Sequence, residues 1–212
     1  MSESPLQPEQ PALAATTAMF VEVLVIGIGF LSGVALLATA AAGPRDAAEL
    51  ARLADSTLLA GTALATAYAF GILVDRIADK ALSPIRRHLR RTHFPTEYDY
   101  AQARLRLAAQ PTLAARADYA RSRLRICRGW ILNSTLMTIA ACTALQRFPL
   151  TQRTLLTTST TAFGLLATAG FYYAWHTITA TGYRKLAEQT APPAAAVPAP
   201  PRPPAPANTA PR

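Results

Sequence analysis

Asp75 and Asp79 stand four residues apart where a long apolar run ends, so a helix containing them presents both carboxylates on one face. Two carboxylates so placed suit a divalent ion held against a diphosphate. Arg76 and Lys80 alternate with them and can neutralise the pair. Other reactive side chains are less suggestive. His88 and His93 lie among arginines, a field that disfavours metal binding, and His176 follows Trp175 as an interfacial anchor. Cys127 and Cys142 fall on one predicted helix, roughly 22 Å apart, beyond disulfide reach, and serve as small packing residues. The sequence contains no HExxH, GxSxG, zinc-spaced cysteine pair or phosphate-cradling glycine loop. It therefore predicts no catalytic residue, no metal ligand and no cofactor.

The spacing of Asp75 and Asp79 resembles the DxxxD of polytopic prenyltransferases and phosphatidyl transferases, which implies a lipid-modifying enzyme working through those two carboxylates. A different set is defined by depth along the apolar runs. Glu22, Asp75, Arg76, Asp79, Arg128 and Asn133 all fall at one boundary of those runs and form a predicted ionic cluster. An acid within an apolar run costs several kcal/mol unless it reaches the headgroups or finds a partner. Glu22 is expected either to snorkel or to pair with Arg76 or Arg128.

The elements that position these groups follow from composition. The chain is 51% hydrophobic and 16% charged over 212 residues, and the apolar residues are concentrated. Runs at Met19 to Ala42, Ser56 to Val74, Gly129 to Leu145 and Leu155 to Trp175 each approach the length that crosses a hydrocarbon core about 30 Å thick. Their many Thr and Ser can bond back to the helix backbone and leave no charge exposed. The formal charge is +9, and thirteen of the 21 Lys and Arg lie between Val74 and Gly129. By the positive-inside rule that segment is cytoplasmic. The expected fold is thus an all-α, multi-pass protein of a bacterial inner membrane, with four transmembrane helices and both termini inside. A cleaved signal peptide, with small residues at Ala38-Thr39-Ala40 or Ala40-Ala41-Ala42, is the alternative for the first run, but Glu3 and Glu9 replace the usual cations.

In this reading residues 1–18 form a disordered leader and 43–55 an extracytoplasmic loop containing a short helix. Residues 75–128 form the basic cytoplasmic region, 146–154 a short outer loop, 176–189 a juxtamembrane segment and 190–212 an Ala/Pro-rich disordered tail. Ser83-Pro84 suggests an N-cap and first helical residue, opening a short basic helix whose Arg86, Arg87, Arg90 and Arg91 are expected to meet anionic lipid. Thr96 to Asp99 has the pattern of a capping box. Leu113, Ala117, Ala120, Leu124, Cys127 and Ile131 recur at spacings of 4 and 3, predicting one helix from about Pro111 to Leu145. Close helix packing is expected at Gly29, Gly33, Gly61, Ala65 and Ala69, and Trp130 with Phe171 to Trp175 forms an inner aromatic belt.

The topology is similar to that of flagellar-motor stator subunits, which also place their cytoplasmic domain between spans two and three. The sequence therefore predicts a non-enzymatic, self-associating membrane protein. Its expected role is that of a regulated pore or membrane-perturbing effector, for example in stress or phage defence, with a basic cytoplasmic sensing region. Expected partners are anionic lipids, a second copy, and an acidic protein or nucleotide at that region. A membrane anchor recruiting an acidic partner is one alternative; the enzyme built on Asp75 and Asp79 is another.

Overall fold

A computed structural model describes residues 9–43 and 57–190. Over those residues the chain forms five α-helices and no strand: α1 Glu9–Ala42, α2 Thr57–Arg91, α3 Glu97–Ala108, α4 Pro111–Arg147 and α5 Arg153–Thr190. Nearly all of the expected outer loop and the Ala/Pro tail lie outside the described residues.

The helix ends follow local chemistry. Gly43, at φ +88°, closes α1 by donating its N–H to the Thr39 carbonyl at 3.0 Å, a conformation that a residue without a Cβ adopts cheaply. Thr96 opens α3 through a reciprocal capping box with Asp99. Pro111 takes the first position of α4, where its missing N–H costs nothing.

Two expectations about boundaries are corrected. Within the leader assigned to residues 1–18, Glu9 to Ala18 already belongs to α1: this Ala-rich stretch has high helix propensity and extends a helix that the apolar run has nucleated. Ser83-Pro84 does not start a new helix, because α2 continues through Pro84 to Arg91. The proline removes one backbone bond, and an ion pair from Arg86 to Asp79 spans the turns on either side of it. Residues 176–189 continue α5, whose far end is held where Leu186 buries against Phe94 and Ala103, with Tyr100 and Tyr183 packed around them.

The long helices lie side by side, with α1 and α4 in the middle, α2 against α1 and α5 against α4, while α3 rests on the lower part of α5 and α4. Glycine sets the close approaches. A Cβ on Gly27 would overlap the Ala67 carbonyl, and one on Gly71 would overlap the Val23 carbonyl, so α1 and α2 meet almost backbone to backbone. Phe20 stacks on Tyr68, and Phe30 on Phe70, on either side of that crossing. Of the residues expected to pack, Gly29 and Gly33 do so, but onto α4: a Cβ would meet Asn133 Nδ2 at 2.6 Å from Gly29 and Leu136 at 2.9 Å from Gly33. Gly61 meets nothing within 4 Å among the described residues, and Ala65 and Ala69 are exposed. The stripe on α2 that does pack is offset from the expected one, running through Ala67, Gly71, Val74 and Ala78.

Between α4 and α5, Gly164 lies beneath the Thr138 side chain, Ser134 and Thr168 share a hydrogen bond of 2.8 Å, and Trp130 stacks on Phe171. One segment, Thr16–Ala42 with a mean hydropathy of 2.4, is long and apolar enough on its own to cross a membrane. The other apolar runs contain more hydroxyl side chains, which lower mean hydropathy. Many of those hydroxyls are spent within their own helix: Thr66, Thr135, Thr138, Thr143, Thr161 and Thr168 each donate to the carbonyl four residues earlier.

Candidate functional site

The candidate site lies where α1, α2 and α4 meet at one end of their apolar stretches. Asp75 and Asp79 share one face of α2, and Arg125 and Arg128 share one face of α4, so two acids oppose two guanidinium groups. Arg128 presents its fork to Asp75, with Nε to Oδ1 at 2.8 Å and Nη2 to Oδ2 at 2.9 Å, and its Nη1 turns to Asp79. Arg86 supplies a second cation to Asp79. Arg125 spans the third acid, lying 3.4 Å from Glu22 and 3.8 Å from Asp75, while Ser122 donates its hydroxyl to Glu22.

Three carboxylates thus face three guanidinium groups. Glu22 and Asp75 are buried. Charge balance and bidentate geometry make such burial tolerable at the edge of an apolar bundle, where an isolated acid would cost several kcal/mol. One turn above, Asn133 is fully buried and donates from Nδ2 to the Ile26 carbonyl at 2.7 Å, next to Gly129, where a Cβ would approach Ile26 at 2.8 Å.

Of the predicted cluster, the structure brings Glu22, Asp75, Asp79 and Arg128 together and seats Asn133 above them. The expected role of Arg76 is corrected: one residue on from Asp75 the helix has turned by about 100°, and Arg76 is exposed with no ion pair among the described residues. The expected partner of Glu22 is corrected as well. Its carboxylate reaches Arg125 and Ser122, not Arg76 or Arg128. The spacing of Ser122, Arg125 and Arg128 at intervals of three held the missed signal, since it places all three on one side of α4. The Asp75 and Asp79 oxygens are turned onto guanidinium groups, so a divalent ion between them must first displace Arg128.

The four arginines expected at a lipid surface are divided. Arg86 is held by Asp79, and Arg90 pairs with Glu97 and lies over the Tyr100 ring, leaving Arg87 and Arg91 exposed.

On the other side of Arg125 and Arg128 a cavity of about 500 Å³ opens between α4, α5 and α3. Arg86, Arg125 and Arg128 line it as well as the ionic cluster, and Arg104, Arg116, Arg121 and Lys185 add further cations. Among the described residues no acid lines it. Tyr183 in its wall remains a neutral phenol: burial raises its pKa, with the neighbouring Tyr100 adding to the rise, although Arg86, Arg90 and Arg104 pull the other way. Burial also raises the Cys127 thiol against the lowering influence of Arg123, which leaves it a packing group and a weak nucleophile at neutral pH.

Glu22 and Arg125 are expected to be energetically coupled. In a double-mutant cycle of Glu22→Gln and Arg125→Gln, melting of the purified chain in detergent gives a coupling of about 1 kcal/mol or more. The same cycle with Arg76→Gln gives additivity. Equal coupling to both arginines contradicts the observed pairing.

The chain matches no protein-family model, no curated protein and no solved structure.

Proposed function

We propose that the chain is a multi-pass protein of a bacterial inner membrane, with four spans and both termini in the cytoplasm, acting as a regulated membrane effector. In this reading its basic cytoplasmic extension senses an anion and transmits occupancy to the spans. The observation that carries the reading is the sharing of Arg86, Arg125 and Arg128 between the basic cavity and the ionic clamp. A change at the cavity must alter the forces holding the inner ends of α1 and α2 to α4.

Membrane insertion is supported by how the side chains segregate. Large apolar groups are exposed along the outer faces of the long helices, among them Phe163 at 74% and Leu166 at 72% on α5, with Val25, Ile28, Leu64 and Ile139 on the others. A water-exposed surface of this kind is unfavourable, whereas lipid accommodates it. The in-helix hydroxyl bonds support spanning by the Thr-rich runs, because an internally satisfied hydroxyl costs less in hydrocarbon than hydropathy assigns to it.

A second reading, an anchor that recruits an acidic partner, is favoured by Arg76, Lys80, Arg87 and Arg91, which are exposed on α2 and have no ion pair among the described residues.

Reporter fusions test the topology. Fusions after Gly43 and Gln146 are expected to be active only with an extracytoplasmic reporter, and those after Thr96 and Gly182 only with a cytoplasmic one. A cytoplasmic signal at residue 43 eliminates the four-span arrangement.

A further inference from the structure

The cavity beside the ionic clamp is partly open to solvent and combines two chemistries. Arg104 on α3, Arg116 on α4 and Lys185 on α5 line it, and none of the three has a carboxylate partner among the described residues. All three are exposed at its rim, where solvent screens their mutual repulsion, and together they present cations from three helices to one bound anion. Leu113, Leu124, Ile178 and Leu186 supply an apolar wall in the same space. A volume of about 500 Å³ falls within the range of about 300–1,000 Å³ typical of small-molecule sites.

We propose that this cavity binds an organic di- or triphosphate of nucleotide size, its phosphates on Arg104, Arg116 and Lys185 and its body against the leucine wall. A soluble ligand is favoured over a lipid headgroup by depth. The lining of α5 runs from Trp175 to Gln189, roughly 21 Å along the helix, whereas a headgroup layer is only about 5–8 Å thick on each side. A lipid would have to leave the bilayer to fill the cavity. Because Arg125 and Arg128 also face the cavity, the phosphates compete with Asp75 and Asp79 for them, and binding loosens the clamp.

This inference rests on the sensing role proposed above, but its test does not depend on topology. Reporter fusions and ligand titrations on the purified chain can fail independently. The experiment is calorimetric titration of ATP, without added divalent cation, into the full chain in nanodiscs of neutral phosphatidylcholine at physiological salt. Saturable one-site binding is expected, with pyrophosphate at least about tenfold weaker because it lacks a body to bury. Arg104→Gln, Arg116→Gln and Lys185→Gln together are expected to weaken ATP binding by at least about thirtyfold. Arg87→Gln with Arg91→Gln, which removes charge outside the cavity, should change it by less than about threefold. Asp79→Asn, which releases guanidinium groups toward the cavity, should tighten it by about threefold or more.

Absence of saturable ATP binding overturns the proposal. So does equal binding of pyrophosphate and ATP, or an equal loss in the cavity and control variants. Nanodiscs containing phosphatidylglycerol supply the lipid arm: if the anionic lipid occupies the chain and excess ATP cannot displace it, the site belongs to a headgroup and the proposal fails. Should the triple variant not fold, the ATP and pyrophosphate titrations of the parent chain decide the matter, supported by Lys185→Gln alone.

Discussion

Arg128→Gln is expected to destabilise the bundle by about 3 kcal/mol or more, because it leaves Asp75 and Asp79 close together with their main counter-charge removed. Asp75 is buried, and its remaining cation, Arg125 at 3.8 Å, is already shared with Glu22. Rehydration can relieve part of the strain at Asp79, which is 31% exposed, but little at Asp75. Unfolding of the purified chain by a denaturing detergent measures the loss. Adding Asp75→Asn to Arg128→Gln should recover more than half of it, since a neutral pair is far less costly to bury than a lone carboxylate. Arg128→Lys should recover little, because an ammonium cannot present the fork that reaches both oxygens of Asp75 and also touches Asp79. If Arg128→Gln melts like the parent, the clamp does not hold the helices together, and the coupling between cavity and spans is lost with it.

Gly27→Ala and Gly71→Ala are each expected to cost about 1–3 kcal/mol, and together to separate α1 from α2. In both cases the new methyl overlaps a backbone carbonyl of the facing helix, which cannot rotate aside as a side chain can. The helices must move apart, weakening the Phe20–Tyr68 and Phe30–Phe70 stacks beside them. Gly61→Ala provides the contrast. Among the described residues nothing lies within 4 Å of a Cβ at its position, and the higher helix propensity of Ala should leave stability unchanged or raise it by up to about 1 kcal/mol. Cysteine cross-linking between α1 and α2, with melting in detergent, measures all three. Equal tolerance at Gly27 and Gly61 contradicts the observed crossing.

Several features were open to reading from sequence because they depend only on neighbours along the chain. The alternating spacings of 4 and 3 from Leu113 to Ile131 mark one continuous face, and α4 is one helix across that stretch. Thr96 and Asp99 cap α3 through contacts three residues long. The concentration of cations between the second and third apolar runs, and the presence of Glu22, Asp75, Asp79 and Arg128 at one boundary of those runs, are equally properties of order along the chain.

Which faces meet is a different matter. Gly61, Ala65 and Ala69 form as regular a small-residue stripe as any in the chain, yet the side of α2 that meets α1 carries Ala67 and Gly71. Small size permits a close approach, but the rotation of each helix about its axis decides where it happens, and that rotation reflects the packing of whole faces. The same holds for charge. Arg76 and Asp75 are adjacent in sequence but about 100° apart around the helix, so Arg76 points away while Arg125, fifty residues on from Asp75, comes close to it. Pro84 shows the third limit, because it stands inside α2, which continues through it to Arg91 with an Arg86–Asp79 pair spanning the turns around it. The sequence by itself thus determined the all-helical class, the apolar stretches and the level at which charge collects, but not where α1 begins or that α2 runs through Pro84. Tertiary structure alone decided which carboxylate meets which guanidinium, and that a basic cavity opens beside them, because helix periodicity defines faces while long-range packing selects the face opposite.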